Sequence, residues 1–256
     1  MDKQFLIIAH RGESFDAPEN TLASINLAWE RNDNAVEIDI QLTKDKKIIV
    51  AHDKNTYRLA GKFKNILSQT LNELKFLDVG SYKGEKWKGE KIPTLIEVLK
   101  TLPKNKYLFI EIKSNSEIIQ FLKNIIDNSL IEPEFIKFIS FNKDLIAKLK
   151  TVFPLHQCFW IYENKFFKRR KSIPEIINHC KETGLDGLDL RADTLNNENE
   201  AREIKQAGLD LYTWTVNDFN EAKKFYQWGF DGITSDKAKM LQDKFDSYKK
   251  LTTEKK

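Results

Sequence analysis

"LDLYTWTVNDFNEAKKFYQWGFDGITSD" runs from Leu209 to Asp236 and holds one strand–helix–strand unit. Its start, 209–213, is rich in aromatic and β-branched residues and reads as a strand. Asp218 is placed to cap the helical pattern that follows, through 218–227. Gly229 comes where a helix needs a left-handed residue to end, and 231–234 reads as the next strand.

The same alternation extends in both directions. Strands are predicted at 5–9, 35–41, 107–112, 136–140, 157–161 and 186–189 besides the two above. Helical patterns lie at about 20–32, 95–102, 116–128, 143–150, 173–183, 198–207, 218–227 and 236–248. Asn142 and Asp144 precede "LIAKLK", and Gly184 and Gly208 stand where Gly229 does in the first unit. Eight strand–helix pairs in 256 residues are the count of a (β/α)8 TIM barrel. The rival is an open doubly wound sheet. That fold leaves edge strands, which tend to be polar, and usually carries a glycine-rich phosphate loop; the sequence has neither feature.

One connection departs from the pattern. "QLTKDKKIIVAHD", 41–53, reads as a strand, a turn and a second strand. Residues 54–94 are then expected as a small insertion after the second strand, over the barrel mouth. Its Phe63, Leu67, Phe76 and Trp87 either fold it onto the barrel or line a greasy channel. The whole is expected to be a single domain over 1–250, with a flexible polar tail at 251–256.

Composition narrows the function classes. With 42 basic and 38 acidic residues the charge is mixed, which argues against a nucleic-acid partner. The basic run "KFFKRRK", 165–171, fits a solvated segment or a patch that steers anions. Cys158 and Cys180 lack metal-ligand spacing and are expected as buried free thiols. No apolar run is long enough for a signal peptide core or a membrane span, so a cytoplasmic protein without stable membrane insertion is expected.

Charged residues gather near the ends of the early strands. "FLIIAHRGESFDAPENT", 5–21, ends its apolar run in His10-Arg11-Gly12, and Gly12 lets the chain turn away. In "AVEIDIQL", Glu37 and Asp39 share one face of a strand, and Val36, Ile38 and Ile40 the other. Glu111 and Lys113 share a face by the same rule, and His52-Asp53 follows "KIIVA". Each feature alone has a plain reading: a turn histidine, a half-exposed strand, a surface ion pair. Together, three carboxylates on core strands are costly unless a cation offsets them. Glu37, Asp39 and Glu111 then make an oxygen site for one divalent cation, Mg²⁺ or Ca²⁺. His10 and His52 are the candidate general acid and base, with Arg11 and Lys113 as fixed charges for an anionic substrate. That set fits phosphodiester hydrolysis. Pro18 and Glu19 suit the first turn of a helix, which makes "PENT" framework.

"HRG" (10–12), "PENT" (18–21), "VEIDIQLTKD" (36–45), "HD" (52–53), "FIEIK" (109–113), "ISFN" (139–142), "YTWTVND" (212–218) and "DGITSD" (231–236) resemble the glycerophosphodiester phosphodiesterase family, in order and over nearly the whole chain. The resemblance implies a TIM barrel with a small insertion. It implies a small-molecule glycerophosphodiester substrate cleaved to sn-glycerol 3-phosphate and an alcohol, with a divalent metal, Mn²⁺ included. It matches Glu37, Asp39 and Glu111 to the metal ligands and His10 and His52 to the catalytic pair. Arg11 and Lys113 match the phosphate-contacting cations, and Trp214 an aromatic that packs on the glycerol. Two alternatives stay open: lysophospholipase D-like activity on lysophospholipids, and a catalytically silent barrel that binds a phosphate ligand. The family usually has Asp-Gly in the hairpin, where this chain has Asp45-Lys46; a positive φ there would strain the lysine.

Overall fold

The computed structural model describes residues 4–164 and 171–253. The strands are β1 (Leu6–His10), β2 (Ala35–Leu42), β3 (Ile48–Val50), β4 (Tyr107–Ile112), β5 (Ile136–Ser140), β6 (Gln157–Tyr162), β7 (Gly187–Arg191), β8 (Asp210–Trp214) and β9 (Gly232–Ser235). All but β3 pair in parallel, in the order β1-β9-β8-β7-β6-β5-β4-β2. A β1–β2 ladder, with Ile8 opposite Ala35 and His10 opposite Glu37, closes the ring. The fold is therefore a (β/α)8 TIM barrel, and the open sheet is excluded.

Helices follow the strands: α1 (Leu22–Glu30), α2 (Tyr57–Ala60), α3 (Leu71–Lys75), α4 (Leu95–Leu99), α5 (Ile118–Asp127), α6 (Lys143–Val152), α7 (Ile173–Thr183), α8 (Glu198–Gln206), α9 (Phe219–Gln227) and α10 (Ala238–Thr253). Asp218 caps α9 by accepting from the backbone N–H groups of Asn220 and Glu221, and Asn142 caps α6 likewise. Two helical expectations need correcting. Thr21 is the N-cap of α1, its side chain accepting from Ser24 N–H, so Pro18 and Glu19 precede the helix instead of forming its first turn. The last helix runs to Thr253, beyond 248. Residues 254–256 of the expected tail, and all of the basic run except Lys171, lie outside the described residues.

Side-chain alternation divides the core in two. Ile7, Ala9, Val36, Ile38, Leu108 and Ile110 point outward and pack under the helices. Ile8, Ala35, Phe109, Phe159 and Tyr212 fill the interior. The Phe109, Phe159 and Tyr212 rings pack with centroids 5.0–6.2 Å apart. Each such ring contributes about 2–3 kcal/mol by burial, and together they plug the barrel below the site.

The irregular connection is a hairpin plus insertion. β3 runs antiparallel to the upper end of β2, Val50 opposite Ile40 and Ile48 opposite Leu42. Its turn does place Lys46 at φ +59. β3 is also a shared wall: Ile48 and Val50 face the main outer core, while Ile49 and Ala51 face a satellite core with Leu59, Ile66, Leu74, Leu77, Val79 and Ile92. Those residues fold the insertion. Phe63, Leu67 and Phe76 join neither this core nor the cavity lining and are exposed, against both roles expected for them. Trp87 is half-buried beneath the Lys86 ammonium. Cys158 and Cys180 are free and buried. No helix among the described residues is long and apolar enough to cross a membrane.

Candidate active site

A cavity of about 210 Å³ opens at the C-terminal end of the barrel. His10, Arg11, Glu37, His52, Glu111, Lys113 and Trp214 all line it. Asp39 is buried outside this lining and completes the acidic group. The cavity lining draws on none of residues 54–94; the insertion instead braces the β1–α1 loop at the side of the mouth.

The loop after β1 turns tightly. Arg11 at φ +55 and Gly12 at φ +78 are both left-handed, which costs the arginine about 1–2 kcal/mol. A Cβ on Gly12 would meet the Ser24 carbonyl carbon at 2.6 Å, so only glycine fits there. The turn aims the Arg11 backbone N–H at Glu37 Oε2, 3.0 Å away. It also aims the Arg11 side chain at Glu19 Oε1 (2.7 Å) and Asp39 Oδ2 (3.2 Å). Strain of this kind is concentrated where a site over-determines its backbone.

Glu37, Asp39 and Glu111 each offer a carboxylate oxygen, and the three oxygens lie within 4.8 Å of one another. They come together because β2 and β4 run side by side with Asp39 opposite Glu111. Burial, then the charges of Asp39 and Glu111, raise Glu37 well above the ordinary carboxylate range. Burial, then Asp39, push Glu111 up to about 7. Burial acts on Asp39 too, but Lys113, Arg11 and His52 outweigh it and hold it at about 2. Glu37 Oε1 is buried with no hydrogen-bond partner among the described residues. Two crowded carboxylates that resist ionisation, a third that stays charged and an orphaned oxygen make the donor set a hard divalent cation satisfies. Lys113 Nζ lies 2.6 Å from Glu111 Oε1 and 3.2 Å from Asp39 Oδ1.

Each histidine is anchored through one ring nitrogen. His10 Nδ1 is 2.6 Å from Asp236 Oδ1, and His52 Nδ1 is 2.7 Å from Asp53 Oδ1. The carboxylates select the Nδ1–H tautomer and leave Nε2 free for other work. His10 Nε2 lies 3.9 Å from Glu37 Oε2, at the edge of the acidic cluster. Burial, then the balance of the Asp39 charge against Arg11 and Lys113, leaves His52 below the ordinary histidine value. For Asp236, burial is outweighed by the His10 hydrogen bond and charge, and its carboxyl falls to about 2.

Several site residues were not read from the sequence. Asn20 donates to Asp39 Oδ2 (2.8 Å) and accepts from the Asp39 backbone N–H (3.1 Å), so "PENT" reaches the acidic cluster directly. Glu19 joins Arg11 to Arg58, and Arg58 reaches Asp53 Oδ2 at 2.7 Å. Phe141 packs edge-on against Trp214 at 5.4 Å, and Asp189 lines the cavity on β7. Asp189 had a usable signal: in "GLDLR" it alternates with Leu188 and Leu190, by the same rule that paired Glu37 with Asp39.

The sequence pattern of the glycerophosphoryl diester phosphodiesterase family matches residues 10–240. A glycerophosphodiester phosphodiesterase of Caldanaerobacter subterraneus is 33% identical over 200 residues, 70% of this chain and 82% of its own. Among solved structures, an Oleispira antarctica phosphodiesterase in complex with the product sn-glycerol-3-phosphate superimposes with a TM-score of 0.85 at 29% identity, covering 94% of this chain and 96% of that one. A glycerophosphodiester phosphodiesterase of Thermotoga maritima does so with a TM-score of 0.78 at 26% identity, covering 95% and 99%.

Proposed function

Because the chain belongs to the glycerophosphoryl diester phosphodiesterase family, we propose that its cavity hydrolyses glycerophosphodiesters to sn-glycerol 3-phosphate and an alcohol, with His10 and His52 as the acid–base pair and a divalent cation on the acidic triad. The observation that carries this reading is the meeting of two carboxylate-anchored imidazoles with a buried triad that has an orphaned oxygen. The product held by the Oleispira antarctica structure supports the substrate class.

Glu37, Asp39 and Glu111 would hold the cation, which supplies Lewis-acid polarisation of a phosphate oxygen. Mg²⁺, Ca²⁺ and Mn²⁺ all suit a site of carboxylate oxygens. Arg11 and Lys113 face the diester charge. One imidazole takes, through Nε2, the proton of the attacking oxygen, which belongs either to water or to the glycerol 2-hydroxyl, whose cyclic phosphate water then opens. The other gives a proton to the departing alkoxide as its P–O bond breaks. Asp236 and Asp53 hold a proton on Nδ1 of both rings, which leaves the Nε2 lone pair of the base free and stabilises the imidazolium from which the acid gives its Nε2 proton. The side chains proposed to bind and catalyse are all present, which argues against a silent barrel. The free buried thiols fit a reducing compartment, and we place the protein in the cytoplasm.

The experiment is glycerophosphocholine hydrolysis against a panel of Mg²⁺, Ca²⁺ and Mn²⁺, with EDTA as control. Turnover should require one of the ions and fall at least about 10²-fold in folded His10→Ala and Glu37→Ala. Turnover in EDTA, or unchanged rates in both variants, overturns the reading.

A further inference from the structure

Among the described residues that line the cavity, Asp189 is the ionisable group that the proposed chemistry leaves idle. Counting around the closed ring, β7 lies four strands from β2 in either direction, so Asp189 stands across the cavity from Glu37 and Asp39. Around it the lining is apolar: Ile139, Phe141, Ile161 and Trp214. Asp189 is 4% exposed, and its Oδ1 is buried with no hydrogen-bond partner among the described residues. An unpaired polar atom in such surroundings costs free energy that no protein contact offsets. Burial, then the charge of Glu111, push its carboxyl well above the usual range. A protonated carboxyl both donates and accepts, as an alcohol does.

We propose that Asp189 is a specificity residue that hydrogen-bonds the C1 hydroxyl of the substrate's glycerol and so selects diesters in which that hydroxyl is free. This rests on the phosphodiester reading of the cavity. With the phosphate at the β1–β2–β4 side, the glycerol lies along Trp214 and Phe141, and its hydroxyl farthest from phosphorus meets Asp189. The variable alcohol points to the open mouth. A 1-acyl lysophospholipid has this hydroxyl esterified: it cannot donate, and its chain would run into the closed floor. The geometry thus favours short glycerophosphodiesters over lysophospholipids.

Calorimetric titration of the intact protein, with Mg²⁺ or Ca²⁺ present, tests the assignment. The ligands are sn-glycerol 3-phosphate and 2-hydroxypropyl phosphate, which lacks only the C1 hydroxyl. Wild type should bind the first roughly 10–100-fold more tightly. Asp189→Leu should bring that ratio close to one by weakening sn-glycerol 3-phosphate alone. Asp189→Asn, which keeps a donor and an acceptor, should retain most of the preference. A wild-type ratio near one overturns the proposal without any variant, and so does an unchanged ratio in folded Asp189→Leu. If wild type neither binds sn-glycerol 3-phosphate nor hydrolyses glycerophosphocholine, the phosphodiester reading has failed. If it does both and only the ratio is insensitive to Asp189, the specificity assignment alone has failed.

Discussion

Replacing Arg58 by leucine removes three N–H···O bonds at once. Arg58 Nε donates to Asp53 Oδ2 at 2.7 Å, and its two terminal nitrogens donate to Glu19 at 2.6 and 2.8 Å. The arginine side chain is 45% exposed, so these ion pairs are screened, and their loss should cost only about 1 kcal/mol of stability. For a chain of this size that is a fall in Tm of about 2–4 °C. The effect on turnover should be larger. Asp53 holds His52 through Nδ1, and Arg58 is what fixes Asp53 from the other side. In the proposed mechanism a loosened imidazole no longer reaches the proton it transfers, and misplacement of about 1 Å costs roughly 10²-fold. Arg58→Leu should therefore lower kcat on glycerophosphocholine roughly 10–100-fold with KM little changed. Arg58→Lys should recover little, because an ammonium cannot bridge Asp53 and Glu19 as the planar guanidinium does. A kcat within twofold of wild type in Arg58→Leu, or full recovery in the lysine variant, would refute the positioning role.

Two further perturbations probe the framework. Lys46→Gly relieves the positive φ of the β2–β3 turn and loses an exposed ion pair with Glu117, so a net gain of about 0.5–1 kcal/mol is expected in urea unfolding; a loss of stability would contradict it. Asp33 is buried and pushed up to about 8, by burial first and then by its hydrogen bond to Glu13. Its raised value means the folded state keeps a proton that the unfolded chain releases near pH 4, so this contribution is complete at low pH and is lost as pH rises towards 8. Asp33→Asn should flatten that decline, gaining upwards of about 1 kcal/mol on wild type between pH 5 and pH 8.5; identical pH profiles would exclude the linkage.

The barrel was legible because its signal is local. Apolar alternation with capped helices between, as in 209–236, needs no knowledge of distant residues. The triad was legible for the same reason: Glu37 and Asp39 obey a period of two, and Glu111 follows the same rule on the next barrel strand. What stayed hidden is non-local or lies in loop geometry. His10 and Asp236 are 226 residues apart, and only closure of the ring between β1 and β9 brings them together. Asn20 is held at φ +56 before α1, where sequence spacing suggested a helical turn instead of an arm reaching Asp39. Arg58 lies in a segment whose course depends on its own small core. Asp189 is a different case, since the rule that found the triad applies to it equally.

Because Ile48 and Val50 turn one way from β3 and Ile49 and Ala51 the other, a three-residue strand separates two packing compartments while belonging to both. Substitutions among the insertion's apolar residues are expected to be absorbed within the satellite core, because none of them belongs to the barrel's outer layer. Acceptable apolar change in the two compartments is therefore expected to be largely uncoupled, apart from Arg58, Tyr82 and Lys83, which tie the insertion to the β1–α1 loop. The exception is β3 itself. A register slip of one residue there would exchange the two faces, disturb both compartments and misplace His52, so the shortest strand of the sheet is where this chain tolerates the least drift.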